Sequence, residues 1–261
     1  MTLILKQLHD HVAVLTLNDP ERHNPISDGP MVDALCEALE AVDNDDDIRV
    51  IVLTAAGKSF SSGGNLKTMQ VGATGGLIAK QPAQTPSKYR RGIQRIPLLF
   101  QRLQKPVIAA VNGAAIGAGC DLACMCDLRI ASEKARFAES FVKLGLIPGD
   151  GGAWLLQRII GYSKAAELSL SGDMIDANTA RDIGLVSSVV PHEELMSSAL
   201  ALAARIAANS PIAVQQTKRL LQQARDNNLA DHLENAGAVQ ALMHTTVEHT
   251  NAVEKFLNKN K

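Results

Sequence analysis

Aromatic residues are scarce in this 261-residue chain, at 3%, with one Trp, two Tyr and five Phe. Proteins that grip single-stranded nucleic acid stack bases on aromatic faces, and such a surface is missing here. Excess charge is missing too, with 26 Lys and Arg against 27 Asp and Glu for a net charge of −1. No basic face for a phosphate backbone follows from that balance, so no nucleic-acid partner is expected. No stretch approaches the roughly 20 apolar residues of a membrane span. The opening Met-Thr-Leu-Ile-Leu-Lys lacks the basic, apolar and small-residue order of a secretion signal. A cytoplasmic protein without a membrane partner is the expectation. The four cysteines are Cys36, Cys120, Cys124 and Cys126. Their spacing lacks paired Cys-x₂-Cys knuckles, so they read as small buried hydrophobes and no metal site is expected. Three catalytic signatures are also absent. No Gly-x-Ser-x-Gly elbow supplies a serine nucleophile. Gly57-Lys58-Ser59 imitates a P-loop ending, but Val52 stands where its first glycine belongs. Gly117-Ala118-Gly119 lacks the third glycine of a dinucleotide fingerprint, because Leu122 occupies that place.

What is present centres on residues 106–122. Val107 to Val111 is a short apolar run of β-branched and small residues, the pattern of a buried strand. Asn112-Gly113 ends it, and Gly117-Ala118-Gly119 opens a helix. Bare backbone there admits a ligand, and the first amides of a helix have no internal partner. Asp121 lies about one turn in, able to reach back over that end. A second such turn is Ser61-Ser62-Gly63-Gly64, after a strand at Ile48–Thr54 and opening a helix at Asn65. Alone it would be an ordinary glycine turn. Two together point to a pair of amides stabilising a nascent oxyanion, with a carboxylate moving protons beside them.

Around these, residues 2–8 and 11–17 alternate as a hairpin, and a helix runs to about Val42 with Ser27 or Asp28 as its cap. Residues 70–86 form a Gly- and Pro-rich loop, either a cover for a pocket or a linker. Ser87 to Leu103 is an amphipathic helix whose Lys88, Arg90, Arg91 and Arg95 are a solvated face or an attraction for a phosphate-bearing ligand. Asp127–Ala131 and Leu185–Val190 read as strands, and helices fill most of 153–182, then 192–208, 211–225 and 229–257. Asp150 lies in a Gly-rich turn before a helix, as its cap or as a second carboxylate facing the cavity. His244 and His249, five apart, do not share a helix face for a metal.

These motifs together resemble the enoyl-CoA hydratase/isomerase (crotonase) family. The resemblance extends over Glu21-Arg22-His23-Asn24-Pro25, Phe60 to Lys67, Lys105 to Asp121, Leu146 to Gly152, Gly184 to Val190 and Ala252 to Leu257. It implies an α/β fold, a right-handed spiral of repeated ββα units over residues 1–195, with a helical region at 196–261 that builds trimers or pairs of trimers. It implies a coenzyme A thioester as substrate, with no cofactor beyond it. By matching positions, the N–H groups of Gly64 and Ala118 would form the oxyanion hole beside Gly63 and Gly117. Arg22, His23, Pro25 and Ser62 would lie along the CoA, Asn65, Leu66 and Lys67 would line its path, and Phe256 or Lys259 would reach a neighbouring subunit's nucleotide. The sequence departs from the hydratase pattern at its two glutamates. Asp121 stands at the first, and Phe141 at the second. Glu139, two residues earlier, would share Phe141's strand face but be displaced. Asp121 and Asp150 are therefore the expected acid/base pair, with Phe141 and Trp154 the aromatics available to line the acyl pocket. Hydration is the expected reaction, with double-bond isomerisation, dehalogenation by Asp150 or non-catalytic acyl-CoA binding as alternatives.

Overall fold

The computed structural model describes residues 2–74 and 76–259. The chain opens with β1 (Ile4–His9) and β2 (Val12–Leu17), then α1 (Gly29–Asp43), β3 (Val50–Ala55) and β4 (Ser59–Ser61). Next come α2 (Thr85–Arg91), α3 (Arg95–Arg102), β5 (Val107–Val111), β6 (Ala114–Ile116) and α4 (Ala118–Met125). After β7 (Leu128–Ser132) and β8 (Arg136–Ala138) follow α5 (Gly152–Ile160), α6 (Tyr162–Ser171), β9 (Met174–Asp176), α7 (Ala177–Asp182) and β10 (Ser188–Val190). Four helices end it: α8 (Leu195–Ala207), α9 (Pro211–Gln223), α10 (Leu229–Met243) and α11 (Val247–Lys259).

The strands divide between two sheets in a repeating way. The larger has the order β1-β2-β3-β5-β7-β10, and the smaller β4-β6-β8-β9. Three passes, β3–β4, β5–β6 and β7–β8, thus each place a longer strand in the first sheet and a short one in the second. Apart from β1, antiparallel to β2, neighbours in the first sheet are parallel. Parallel strands need cover on both faces, which is why β3 and β5 are apolar and buried throughout. One face packs α1, α3 and α4; the other receives α8, whose Leu195, Ala199, Ala203 and Ala207 recur every fourth residue. That small-residue stripe lets α8 lie close on Val12, Val14, Val50, Val52 and Ile108. The expected division at residues 195/196 runs through the first turn of this helix.

Several sequence expectations meet a different local structure. The helix expected over 87–103 is broken at Gly92, although Ile93, Ile96, Leu99, Phe100 and Leu103 are all buried as its periodicity required. Its basic residues divide: Lys88 donates to the carbonyls of Gly76 and Ile78, while Arg95 pairs with Asp33. The strand expected from Leu185 begins only at Ser188, since Leu185 and Val186 enter the core from a turn. Residues 229–257 form two helices, not one. The break at 244–246 brings His244 Nδ1 to 3.2 Å from His249 Nε2, a contact that spacing on a continuous helix forbids.

Two buried lysines tie the end of α1 and the middle of α9 to the chain before β5. Lys105 Nζ donates to the carbonyls of Val42 (2.7 Å) and Asp45, and burial pulls its pKa down. Lys218 Nζ sits 2.8 Å from Asp127 Oδ2 and 2.8 Å from the carbonyl of Lys105. Among the described residues no helix is long and apolar enough to cross a membrane.

Candidate active site

Between the two sheets, three loops meet at the N-terminus of α4. Asn24 starts the arrangement. Fully buried and held at φ 54°, it accepts from the Asp19 N–H (2.7 Å) and donates to the carbonyls of Ala56 and Ser59 (2.9 Å each). Its own carbonyl accepts from Ser61 Oγ at 2.7 Å, and the Gly63 N–H donates to that hydroxyl at 3.0 Å. The Ile26 N–H then donates to the Gly63 carbonyl at 2.9 Å. Gly63, at φ +77°, is thereby pinned from both sides.

The first turn of α4 presses against this loop. A β-carbon on Gly63 would lie 2.9 Å from the Ala118 nitrogen, and one on Gly119 would lie 2.3 Å from the Ser61 carbonyl. Only glycine permits that approach. Gly117 adopts φ 53° to turn from β6 into α4, and its N–H donates to the Ala138 carbonyl at 2.7 Å. Among the described residues the N–H groups of Gly64 and Ala118 have no intramolecular acceptor.

Both residues line a cavity of about 510 Å³, together with Arg22, Pro25, Ser62, Asn65, Leu66, Lys67, Gly117 and Phe141. Ten of the residues singled out in the sequence thus line one cavity. Glu21, Met69, Ile116, Ser140, Lys143, Leu144 and Leu146 complete its lining. His23 and Gly63 lie behind the wall. His23 Nδ1 is 3.1 Å from Ser59 Oγ, and the Ser62 N–H donates to the His23 carbonyl at 2.8 Å. The helix expected to open at Asn65 is a single 3₁₀ turn, Leu66–Thr68, capped by the Asn65 side chain. Asp28 does not cap α1. Its carboxylate accepts instead from Arg22 (2.9 Å), Asn65 Nδ2 (2.9 Å) and Thr68 Oγ1 (3.3 Å), while Ser27 Oγ accepts from the Asn65 N–H (2.9 Å). Arg22, which also pairs with Asp19, is therefore oriented by two carboxylates at the cavity mouth.

Behind the α4 terminus lies a group of carboxyls. Asp121, on α4, is wholly buried, and Glu139 and Asp150 are nearly so. Asp150 is not a helix cap: α5 starts after Gly151, and Asp150 points inward. The strand expected to carry Glu139 and Phe141 on one face stops at Ala138. A 3₁₀ turn over Ser140–Leu144 instead sends the Phe141 ring over Gly117 and Glu139 into the interior. Glu139, which the sequence marked only as a displaced neighbour of Phe141 and not as a site residue, belongs to this group. The signal was an acidic residue immediately after a short strand with two buried residues. Asp121 is within hydrogen-bonding reach of both others, and none of the six carboxyl oxygens has a settled donor among the described residues. Desolvation raises all three. Asp121 is pushed well up by burial and then by the charges of Asp150 and Glu139, Asp150 is raised by burial, and Glu139 rises to about 7. Burial therefore opposes ionisation of all three carboxyls. No three His, Cys, Asp or Glu among the described residues are arranged to hold a metal ion.

Asp150 and Trp154 line a second cavity, of about 860 Å³, between α3, α5 and α9. The Arg158 guanidinium stacks 3.9 Å from the Trp154 ring centre. Phe141 and Trp154, the aromatics that could have supplied part of a pocket for dehalogenation, thus line separate cavities. The side chain of Lys259 lies outside the described residues, and Phe256 is exposed.

A two-sheet α/β spiral with a cavity of this kind defines an enzyme class, and comparison with known proteins agrees. Residues 7–261 match the family model for enoyl-CoA hydratase/isomerase. The chain is 36% identical over 262 residues to 2,3-dehydroadipyl-CoA hydratase of Escherichia coli K12, covering 99% of this chain and 97% of that one. It is also 36% identical over 259 residues to 1,2-epoxyphenylacetyl-CoA isomerase of the same strain, covering 99% and 97%. Pseudomonas aeruginosa DspI superposes with a TM-score of 0.90 at 31% identity, over 99% of this chain and 95% of that one. The fold is thus of the crotonase type, and the protein is an enzyme of the lyase or isomerase class. The chain belongs to the enoyl-CoA hydratase/isomerase family.

Proposed function

We propose that this enzyme acts on an enoyl-CoA thioester through an enolate, by hydration of the double bond, with its oxyanion hole at the N–H groups of Gly64 and Ala118. The observation that supports this reading is that two residues with unpartnered amides, from separate turns, line one cavity. Adding water or moving a double bond next to a thioester places negative charge on the carbonyl oxygen. Two fixed amides stabilise it without reorganising, and losing one such donor typically costs about 3 kcal/mol. On this reading the acyl end extends past the amides to Asp121, which lines neither cavity, and to Asp150, which lines the second: Asp121 gives or takes the proton at Cα, and Asp150 serves the other carbon. Arg22 and Lys67, at the cavity mouth, meet the phosphates of CoA, while Ser62, Asn65 and Leu66 run alongside it.

The second reading is isomerisation of the double bond by a single carboxylate. It is favoured by Phe141, which leaves no acid on the cavity wall where the hydratase pattern has its second glutamate. Assembly into a trimer or a pair of trimers is supported by the exposed Leu229, Leu233, Leu242, Val253 and Leu257 of α10 and α11.

Turnover of a panel of 2-enoyl- and 3-enoyl-CoAs tests the proposal, with Asp121→Asn and Asp150→Asn beside the wild type. Hydration predicts a loss of about 10²–10⁴-fold in both variants. Loss in one alone selects isomerisation. Equal tight binding without turnover in all three proteins would leave a binding protein and overturn the proposal.

A further inference from the structure

Two carboxyls suffice for the reaction proposed above, yet the structure buries a third against them. Glu139 reaches the interior from the end of β8 and, like Asp121, lies on neither cavity wall, where an apolar residue would cost far less to bury. Its surroundings are specific. Asp121 and Cys120, successive residues on α4, stand against it, and among the described residues no thiol, hydroxyl or N–H donates to either of its oxygens, which leaves the Asp121 carboxyl proton to face it. Asp150 adds its charge from the loop before α5, and Cys124 lies one turn beyond Cys120. Beyond Asp150 stands Tyr89 of α2, packed on Gly149. No basic side chain is among the charges felt by Asp121, Glu139 or Asp150. A carboxylate in such a place has one strong effect on its neighbour. It accepts the neighbour's proton in a hydrogen bond and opposes a second negative charge.

We propose that Glu139 is a positioning residue that holds the acid proton on Asp121. The inference rests on the enoyl-CoA reading, in which Asp121 works on Cα. Its chemistry is a proton balance only. Asp121 delivers its proton to the substrate carbon and is left as a carboxylate beside Glu139. The repulsion between them then drives return of a proton to Asp121 from Asp150, which has taken one from water at the other carbon. Each cycle therefore ends with the starting protonation restored. Without the charge of Glu139, Asp121 would part with its proton more easily and be refilled more slowly.

The test is the pH profile of kcat and of kcat/KM with an enoyl-CoA for wild type, Glu139→Gln and Glu139→Asp. Glutamine keeps the shape and removes the charge. Its alkaline limb is expected about one to two pH units lower, with kcat reduced and KM little changed. Aspartate keeps the charge, so its limb stays near that of the wild type. An unmoved limb in Glu139→Gln, in a folded protein, would overturn the proposal and leave Glu139 a filler of space. Infrared titration of the carboxyl groups in the ligand-free protein, with Asp121→Asn to assign the Asp121 band, reads the same shift without turnover. Should no enoyl-CoA be turned over while that band still moves in Glu139→Gln, the reaction assigned above fails and the coupling stands. A stationary band removes the coupling whatever the reaction.

Discussion

The carboxylate of Asp121 lies directly against Gly152, the first residue of α5: a β-carbon there would stand 2.0 Å from Asp121 Oδ1 and 2.5 Å from Oδ2. Glycine at this point lets the α5 terminus close over the acid group. Gly152→Ala must push Asp121 away from its place or displace α5. Overpacking of this kind typically costs about 1–3 kcal/mol. Urea unfolding should show a loss in that range, and turnover should fall by more than the unfolded fraction explains.

Ser61 holds the other half of the site. Its hydroxyl donates to Asn24 and accepts from Gly63, so Ser61→Ala leaves a buried N–H and a buried carbonyl unmatched. A loss of about 1–3 kcal/mol is expected on unfolding. Because Gly63 precedes the amide of Gly64, kcat should fall along with stability, and Ser61→Thr should recover part of each. Loss of stability with unchanged kcat would separate Ser61 from the proposed oxyanion hole.

Stability should also depend on pH through Glu139. Its folded pKa, about 7, stands above the ordinary 4.5, so the native state binds the proton more tightly than the unfolded chain. That contribution is complete below about pH 4.5 and disappears as pH rises through about 7, amounting to about 3 kcal/mol over the window. The difference in unfolding free energy between Glu139→Gln and wild type should therefore move in the variant's favour between pH 4.5 and 8. A difference that is flat with pH would mean that Glu139 is not held protonated by burial.

At the cavity mouth, Asp28 ties Arg22, Asn65 and Thr68 together. Asp28→Ala frees all three, and the KM for an acyl-CoA should rise several-fold while kcat changes little. The same variant tested with a short thioester lacking the nucleotide should show no KM effect if Arg22 meets the CoA phosphates.

Much of this site was legible in the order of residues. The turns at Gly63-Gly64 and Gly117-Ala118 announce themselves because close backbone approach leaves no alternative to small residues, and the strands before them are continuous apolar runs. Asp121 was legible for the same reason, being one turn into a helix whose start was plain. Glu139 was not. Its inward direction depends on β8 ending after three residues, and a period-two reading carried through to Phe141 assigns it to the wrong neighbour. Asp28 shows a related limit: its position is that of a helix cap, but partners far along the chain at Asn65 and Thr68 compete for its carboxylate and win it. The His244–His249 contact depends on a helix break with no glycine or proline to mark it.

The central claim concerns where a thioester oxygen comes to rest. A crystal structure of the protein with a saturated acyl-CoA, which binds but has no double bond to react, measures this directly. The account predicts that oxygen at about 3 Å from both the Gly64 and Ala118 nitrogens, with Cα turned toward Asp121. A thioester bound elsewhere, or touching neither amide, would contradict it.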